Sequence, residues 1–136
     1  MDMATYIAGP VQRPWRVLPE WVASCYDMIE RLGKFAGSPA RRPYVEKELD
    51  DLNPKDFTSK IQERIDKATN IVAILLPDDT SVPMECAFAA SRSKPILIIY
   101  SEGTLPRLLL SLPRTKIEKW GPSTKTVVSD FLKAFN

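Results

Sequence analysis

Ile71-Val72-Ala73-Ile74-Leu75-Leu76 and Pro95-Ile96-Leu97-Ile98-Ile99-Tyr100 are apolar from end to end, with no polar residue in alternation. Short runs of this kind suit strands covered on both faces, as in the middle of a parallel sheet. Between them lies a segment of small residues in which Met84, Ala87, Phe88 and Ser91 recur at helical spacing. Strand, helix, strand is the order of a parallel crossover, and it makes the domain α/β.

Towards the amino end, Thr5-Tyr6-Ile7-Ala8 is a β-prone run stopped by Gly9-Pro10. Pro19 then suits the first position of a helix whose apolar stripe is Val22, Cys25, Ile29 and Leu32, closed by Gly33. Residues 34–53 are rich in Gly, Pro and charge, and Pro43-Tyr44-Val45 is the candidate second strand. Asn53-Pro54 offers a cap followed by proline, so a second helix is expected to about Thr69, with Phe57, Ile61, Ile65 and Ala68 inward.

Towards the carboxyl end, Leu105 to Leu112 reads as a short apolar helix or turn, and Lys116-Ile117-Glu118-Lys119-Trp120 as an edge strand. Ser123 is placed to cap a closing helix with Val127, Val128, Phe131, Leu132 and Phe135 in its core. The whole predicts one domain over residues 1–136: a doubly wound, flavodoxin-like three-layer sandwich with a parallel sheet of about five strands. In that architecture ligands bind outside the carboxyl ends of the strands.

The composition narrows the chemistry. A net charge of +2 gives no reason to expect nucleic acid or a membrane as partner, and no run approaches the ~18 residues of a membrane span. The opening Met1-Asp2-Met3-Ala4 lacks the features of a signal peptide, so a cytoplasmic location is expected. Histidine is absent, which removes Ser-His-Asp and Cys-His catalysis and every histidine-dependent metal site. Cys25 and Cys86 both fall in apolar helical patterns and read as core thiols.

Carboxylates remain, and they gather where the fold expects a ligand. Gly9-Pro10 and the segment from Pro77 to Glu85 should converge on one crevice, bringing Asp78, Asp79 and Glu85 to it. Glu85 is expected in the first turn of the following helix, near Pro83, where the helix end favours an ionised carboxylate. Glycosyl transfer uses such carboxylates on the anomeric carbon. Helix-stabilising Asp and Glu are the commoner occupants of first turns, so residue type alone leaves both readings open.

The chain resembles the nucleoside 2-deoxyribosyltransferase family, which includes phosphohydrolytic members that cleave nucleoside monophosphates at the glycosidic bond. The resemblance is carried by Tyr6-Ile7-Ala8-Gly9-Pro10, by Asn70 to Asp79 continuing through Met84-Glu85-Cys86-Ala87-Phe88-Ala89, and by Lys94-Pro95-Ile96-Leu97. It implies that Glu85 is the nucleophile that forms the glycosyl-enzyme intermediate, that Tyr6 hydrogen-bonds it, and that Asp79 lies near the substrate. Gly9 and Pro10, with Asp78, Thr80, Ser81 and Gln62, become candidate substrate-binding positions. The resemblance also implies a small-molecule nucleoside or nucleotide partner, no cofactor or metal, and a homodimer or higher homo-oligomer. Leu108-Leu109-Leu110 is the candidate contact patch.

Two departures stand beside it. The family carries glycines just before its glutamate, where Thr80-Ser81-Val82-Pro83 has none. It also places an aspartate eight residues ahead of an acidic residue opening the third strand, and here those positions hold Gln62 and Asn70. Gln62 cannot donate a proton as a carboxylic acid does. A catalytically reduced nucleotide-binding or signalling module of the same fold is therefore the alternative, and a purely structural partner of another protein a third. Arg13, Arg16 and Arg41-Arg42 are available to grip a phosphate, although such arginines are more often solvated. Trp15 and Trp21 are expected against the first helix.

Overall fold

The computed structural model describes residues 4–11, 13, 15–43 and 51–136. Its elements in chain order are β1 (Thr5–Ala8), α1 (Glu20–Ala36), β2 (Ala40–Arg41), α2 (Pro54–Lys67) and β3 (Asn70–Leu75). They continue with α3 (Ser81–Ser91), β4 (Ile96–Tyr100), α4 (Arg107–Leu110), β5 (Thr115–Lys119) and α5 (Thr124–Ala134). The five strands form one sheet in the order β2-β1-β3-β4-β5, parallel at every pairing. This is the doubly wound arrangement expected from the two apolar runs.

Side-chain alternation divides the core into two layers of contacts, one on each face of the sheet. On one face Tyr6, Ala8, Ile71, Ala73, Leu75, Ile96 and Ile98 meet Ile65 of α2, Leu109 of α4, and Val82, Cys86, Ala89 and Ala90 of α3. On the other, Ile7, Val72, Ile74, Leu97 and Ile99 meet Val22, Cys25, Tyr26 and Ile29 of α1 and Val128, Phe131 and Leu132 of α5. The sheet positions opposite α3 are small at Ala8 and Ala73, and so is its inner face. The helix backbone can therefore lie close to the first and third strands.

Several local expectations are corrected. The second strand is Ala40–Arg41, ahead of the expected Pro43-Tyr44-Val45; Pro43 lies outside any strand, and Tyr44 and Val45 lie outside the described residues. Helix α1 runs through Gly33 to Ala36 and ends on Gly37, whose φ of 70° is the left-handed conformation of a helix stop. Gly33 is inside the helix for space, because a Cβ there would sit 2.5 Å from the carbonyl oxygen of Ser38. In α2, Phe57 is exposed at 43% while Ile65 is buried, so the packed stripe begins a turn later than expected. In α3 the expected stripe is out of phase: Met84 is exposed at 73%, and the buried residues are Val82, Cys86, Ala89 and Ala90.

Ser123 precedes α5 without a side-chain capping bond; Thr124 Oγ1 instead accepts from the Gly121 amide at 2.9 Å. Trp21 packs against Trp120, with ring centroids 5.7 Å apart, but Trp15 is exposed and lies beside Arg13 rather than on α1. Cys25 and Cys86 are free and buried, and burial pushes both thiols up to about 12. Among the described residues no helix is long and apolar enough to cross a membrane.

At the amino ends of the strands a polar knot ties distant parts of the chain. Asn70 Nδ2 donates to Ser38 Oγ at 3.1 Å and to the Phe135 carbonyl at 3.0 Å, and Ser38 Oγ lies 2.6 Å from Thr5 Oγ1. All three side chains are buried, and these bonds satisfy the two hydroxyls and Asn70 Nδ2, while Asn70 Oδ1 is buried with no hydrogen-bond partner among the described residues. The position read by resemblance as acidic is thus occupied by a fastening amide at the end of β3 remote from the expected crevice.

Candidate active site

The strand order reverses between β1 and β3, since the chain goes from β1 to β2 on one side and returns to β3 on the other. A crevice opens at the carboxyl ends of strands flanking such a reversal. Tyr6 lies on β1, beside that reversal, on the face covered by α3. Val82, Cys86 and Ala89 turn one side of α3 to the sheet, and Glu85, three residues after Val82, shares that side near the start of the helix.

The two polar groups meet there: Tyr6 Oη donates to Glu85 Oε1 at 2.7 Å, across 79 residues of chain. Tyr6 is 6% exposed, and burial together with the adjacent carboxylate raises its phenol well above its ordinary range. Burial also pushes the Glu85 carboxyl up to about 7, against the pull of the Tyr6 hydrogen bond, and the nearby Asp79 adds to the rise. This corrects the expectation of a helix-end carboxylate held ionised. Because α3 begins at Ser81, Glu85 falls in its second turn, and desolvation outweighs the field of the helix end.

The helix-end position belongs to Asp79. Its Oδ1 accepts from the backbone amides of Ser81 at 3.0 Å and Val82 at 3.2 Å, satisfying two donors that the first turn leaves without helical partners. Asp78 and Thr80 are exposed on the same loop, Ser81 opens the helix in exposed position, and Asp79 is half-buried. Gln62 is half-buried on α2, the helix beside α3.

Gly9 and Pro10 continue β1 past Tyr6. The Pro10 carbonyl accepts from Tyr26 Oη at 2.8 Å, a buried bond reaching across from α1. Tyr26 did not stand out in the sequence; it occupies a core-facing helical position, four after Val22, and such spacing normally signals packing. Arg42 lies with its guanidinium 5.3 Å from the Tyr26 ring centroid and is paired with Glu30 at 2.6 Å and with Asp27, so it is a tethered cation rather than a solvated one. Among the described residues no three of His, Cys, Asp and Glu are grouped so as to hold a metal ion.

A five-stranded parallel sheet with helices on both faces and a crevice at its reversal is the architecture of the nucleoside 2-deoxyribosyltransferases, and this chain shares that fold. The 2-deoxyribosyltransferase of the psychrotolerant bacterium Bacillus psychrosaccharolyticus superposes with a TM-score of 0.61 at 14% identity, over 93% of this chain and 90% of that one. The CMP N-glycosidase BcmB of Clostridium botulinum superposes with a TM-score of 0.56 at 14% identity, over 90% of this chain and 93% of that one. A 3-dehydroquinate dehydratase-like protein of Bifidobacterium longum covers 100% of this chain and 99% of its own at 10% identity, with a TM-score of 0.58. The last carries a different activity in its name, so the shared fold does not by itself select the chemistry. No protein-family model and no curated protein matches the chain in sequence.

Proposed function

We propose that this chain cleaves or transfers the N-glycosidic bond of a nucleoside or nucleoside monophosphate, with Glu85 as nucleophile. The observation that supports this best is the part-buried hydrogen bond of Tyr6 Oη to Glu85 Oε1, which joins β1 to α3. A buried carboxylate held by one phenolic donor keeps its second oxygen for an electrophile, and the bond to Tyr6 favours the ionised form that attack requires. The names of two proteins of like fold point the same way.

In the proposed reaction a Glu85 oxygen attacks the anomeric carbon, the bond from that carbon to the base nitrogen breaks, and its electron pair leaves with the base. The base takes up a proton, and Asp79 and Asp78 are the nearby carboxyl groups in the chain that can relay one. Water then hydrolyses the glycosyl ester, or a second base displaces Glu85 from it. Neither step draws on a cofactor. The free-base yield from a panel of deoxynucleosides, ribonucleosides and their monophosphates, read by chromatography, tests the proposal; no base from any of them rejects it.

The second reading, a nucleotide-binding or signalling module of the same fold, is favoured by one feature. Asp79 is engaged as the cap of α3 and Gln62 stands where the resemblance asks for an acid, so protonation of the leaving base is weakly provided. Nucleotide binding without base release would select this reading. In either case we propose a homodimer or higher homo-oligomer that covers Met84, Leu108 and Leu110, which are exposed at 73%, 82% and 55% on α3 and α4, whereas Leu109 is core. Sedimentation of the parent chain against a Leu108→Lys variant tests it.

A further inference from the structure

We infer that Tyr26 is a positioning residue for the candidate site, fixing the Gly9–Pro10 turn that the proposed function sets beside its substrate. The inference rests on the proposed function and deepens it, because neither residue type nor resemblance marked Tyr26. Its hydroxyl reaches the Gly9–Pro10 turn from α1, and Tyr26 packs on the face of the sheet opposite to the helix that carries Glu85. It is 4% exposed, and its hydroxyl donates to the carbonyl of Pro10.

The fit at Gly9 shows how tightly turn and phenol are matched. A Cβ on Gly9 would lie 2.2 Å from Tyr26 Oη, 3.0 Å from Tyr26 Cζ and 3.4 Å from Ile74 Cβ. Glycine is therefore needed there for space, and the atom that takes the space is the hydroxyl oxygen. The ring itself is held from outside by the Arg42 guanidinium, which Glu30 and Asp27 anchor in turn. Carboxylates, cation, ring and hydroxyl thus form one chain of contacts ending on the turn that follows Tyr6. Tyr26 lies outside the Tyr6–Glu85 pair, so its removal should disturb the seat of the substrate more than the reacting carboxylate.

Three variants test this: Tyr26→Phe, which keeps the ring and its cation; Gly9→Ala; and the double variant. Base release from the best monophosphate substrate gives KM and kcat, calorimetry gives nucleotide binding, and thermal melting reports the fold. Tyr26→Phe should raise KM about fivefold, the scale of one lost hydrogen bond, with kcat within about twofold and its pH profile unmoved. Gly9→Ala should raise KM further and lower the melting temperature. The double variant should bind and melt better than Gly9→Ala alone, because losing Oη clears the nearest obstacle to the new Cβ. An unchanged KM in Tyr26→Phe, or strictly additive effects in the double variant, would overturn the inference. So would a fall in kcat and melting temperature together at constant KM. An active parent with an unaffected Tyr26→Phe variant removes this inference alone; a parent that neither releases base nor binds a nucleotide removes the proposed function and this inference with it.

Discussion

Tyr6 Oη and Glu85 Oε1 are joined by a 2.7 Å bond in which the donor comes from a strand and the acceptor from a helix packed on it. The bond opposes desolvation. Burial raises the carboxyl to about 7 even with the phenol donating to it, so near neutral pH Glu85 is divided between its acid and its anion. An anion is required to attack, and an acid is what burial favours.

On the proposed mechanism, base release should therefore climb about tenfold per pH unit below about 7 and level off above it. Steady-state rates at substrate well below KM between pH 5 and 9 measure this, because kcat/KM follows the free protein. Glu85→Gln should lose turnover by orders of magnitude throughout that range while still binding the nucleotide. Full turnover in Glu85→Gln would make the carboxylate a bystander.

Tyr6→Phe removes a hydrogen bond that lowers the Glu85 pKa. The rising limb of the profile should move to higher pH, and the rate at pH 6 should fall by about tenfold or more, as expected for loss of a hydrogen bond to a charged group. An unshifted limb would mean that the bond orients Glu85 without sustaining its ionisation.

Asp79 has two separable effects, a cap on α3 and a charge near Glu85. Asp79→Asn retains a good capping side chain and removes the charge, so melting should change little while the rising limb moves to lower pH. Asp79→Ala should move the limb likewise and also cost about 1 kcal/mol of stability. Denaturant titration alongside the rate profile separates the two. Activity lost equally in both variants without a shift in the limb would indicate a direct part for the carboxylate, such as protonating the base.

Stability should itself depend on pH through Glu85. The native carboxyl holds its proton up to about 7, whereas in the unfolded chain it would release it near the ordinary 4.5. Its contribution is full below about 4.5 and is lost as pH rises through about 7, up to roughly 3 kcal/mol. Parent and Glu85→Gln, unfolded in urea at pH 5 and pH 8, should differ in this pH dependence, the variant gaining relative stability at pH 8. Identical dependences would place Glu85 in a wetter environment than its burial implies.

The sheet was legible because β3 and β4 are unbroken apolar runs, and nothing but a doubly covered strand explains Val72, Ile74, Leu97 and Ile99 together with Ile71, Ala73, Ile96 and Ile98. The short β2 was misplaced because a strand of two residues has no period to read, and Pro43 with the β-prone Tyr44 and Val45 offered a better local pattern. Helix α3 was found but turned wrongly. Val82, Cys86, Ala87, Phe88, Ala89 and Ala90 make it apolar nearly all round, so Met84 seemed as good an inner residue as Val82. Tyr6 and Glu85 came together through resemblance, since a strand tyrosine and a helix glutamate carry no signal of each other at such a separation. Tyr26 was hidden because core spacing accounts for a tyrosine ring and says nothing of where its hydroxyl ends.

The knot of Thr5, Ser38, Asn70 and the Phe135 carbonyl joins β1, the approach to β2, β3 and the end of α5 at the amino edge of the sheet. Anchorage of this kind leaves the opposite rim tolerant of rewriting at its exposed positions: side chains of the loop after β3 other than Asp79 can change without loosening what registers the strands. A glycine-free Thr80-Ser81-Val82-Pro83 is such a rewriting, accommodated beside an unaltered strand order. For engineering, the exposed Thr80 and Ser81 side chains beside the capping Asp79 are the positions to randomise, and Asp79 and Asn70 are the residues to leave alone.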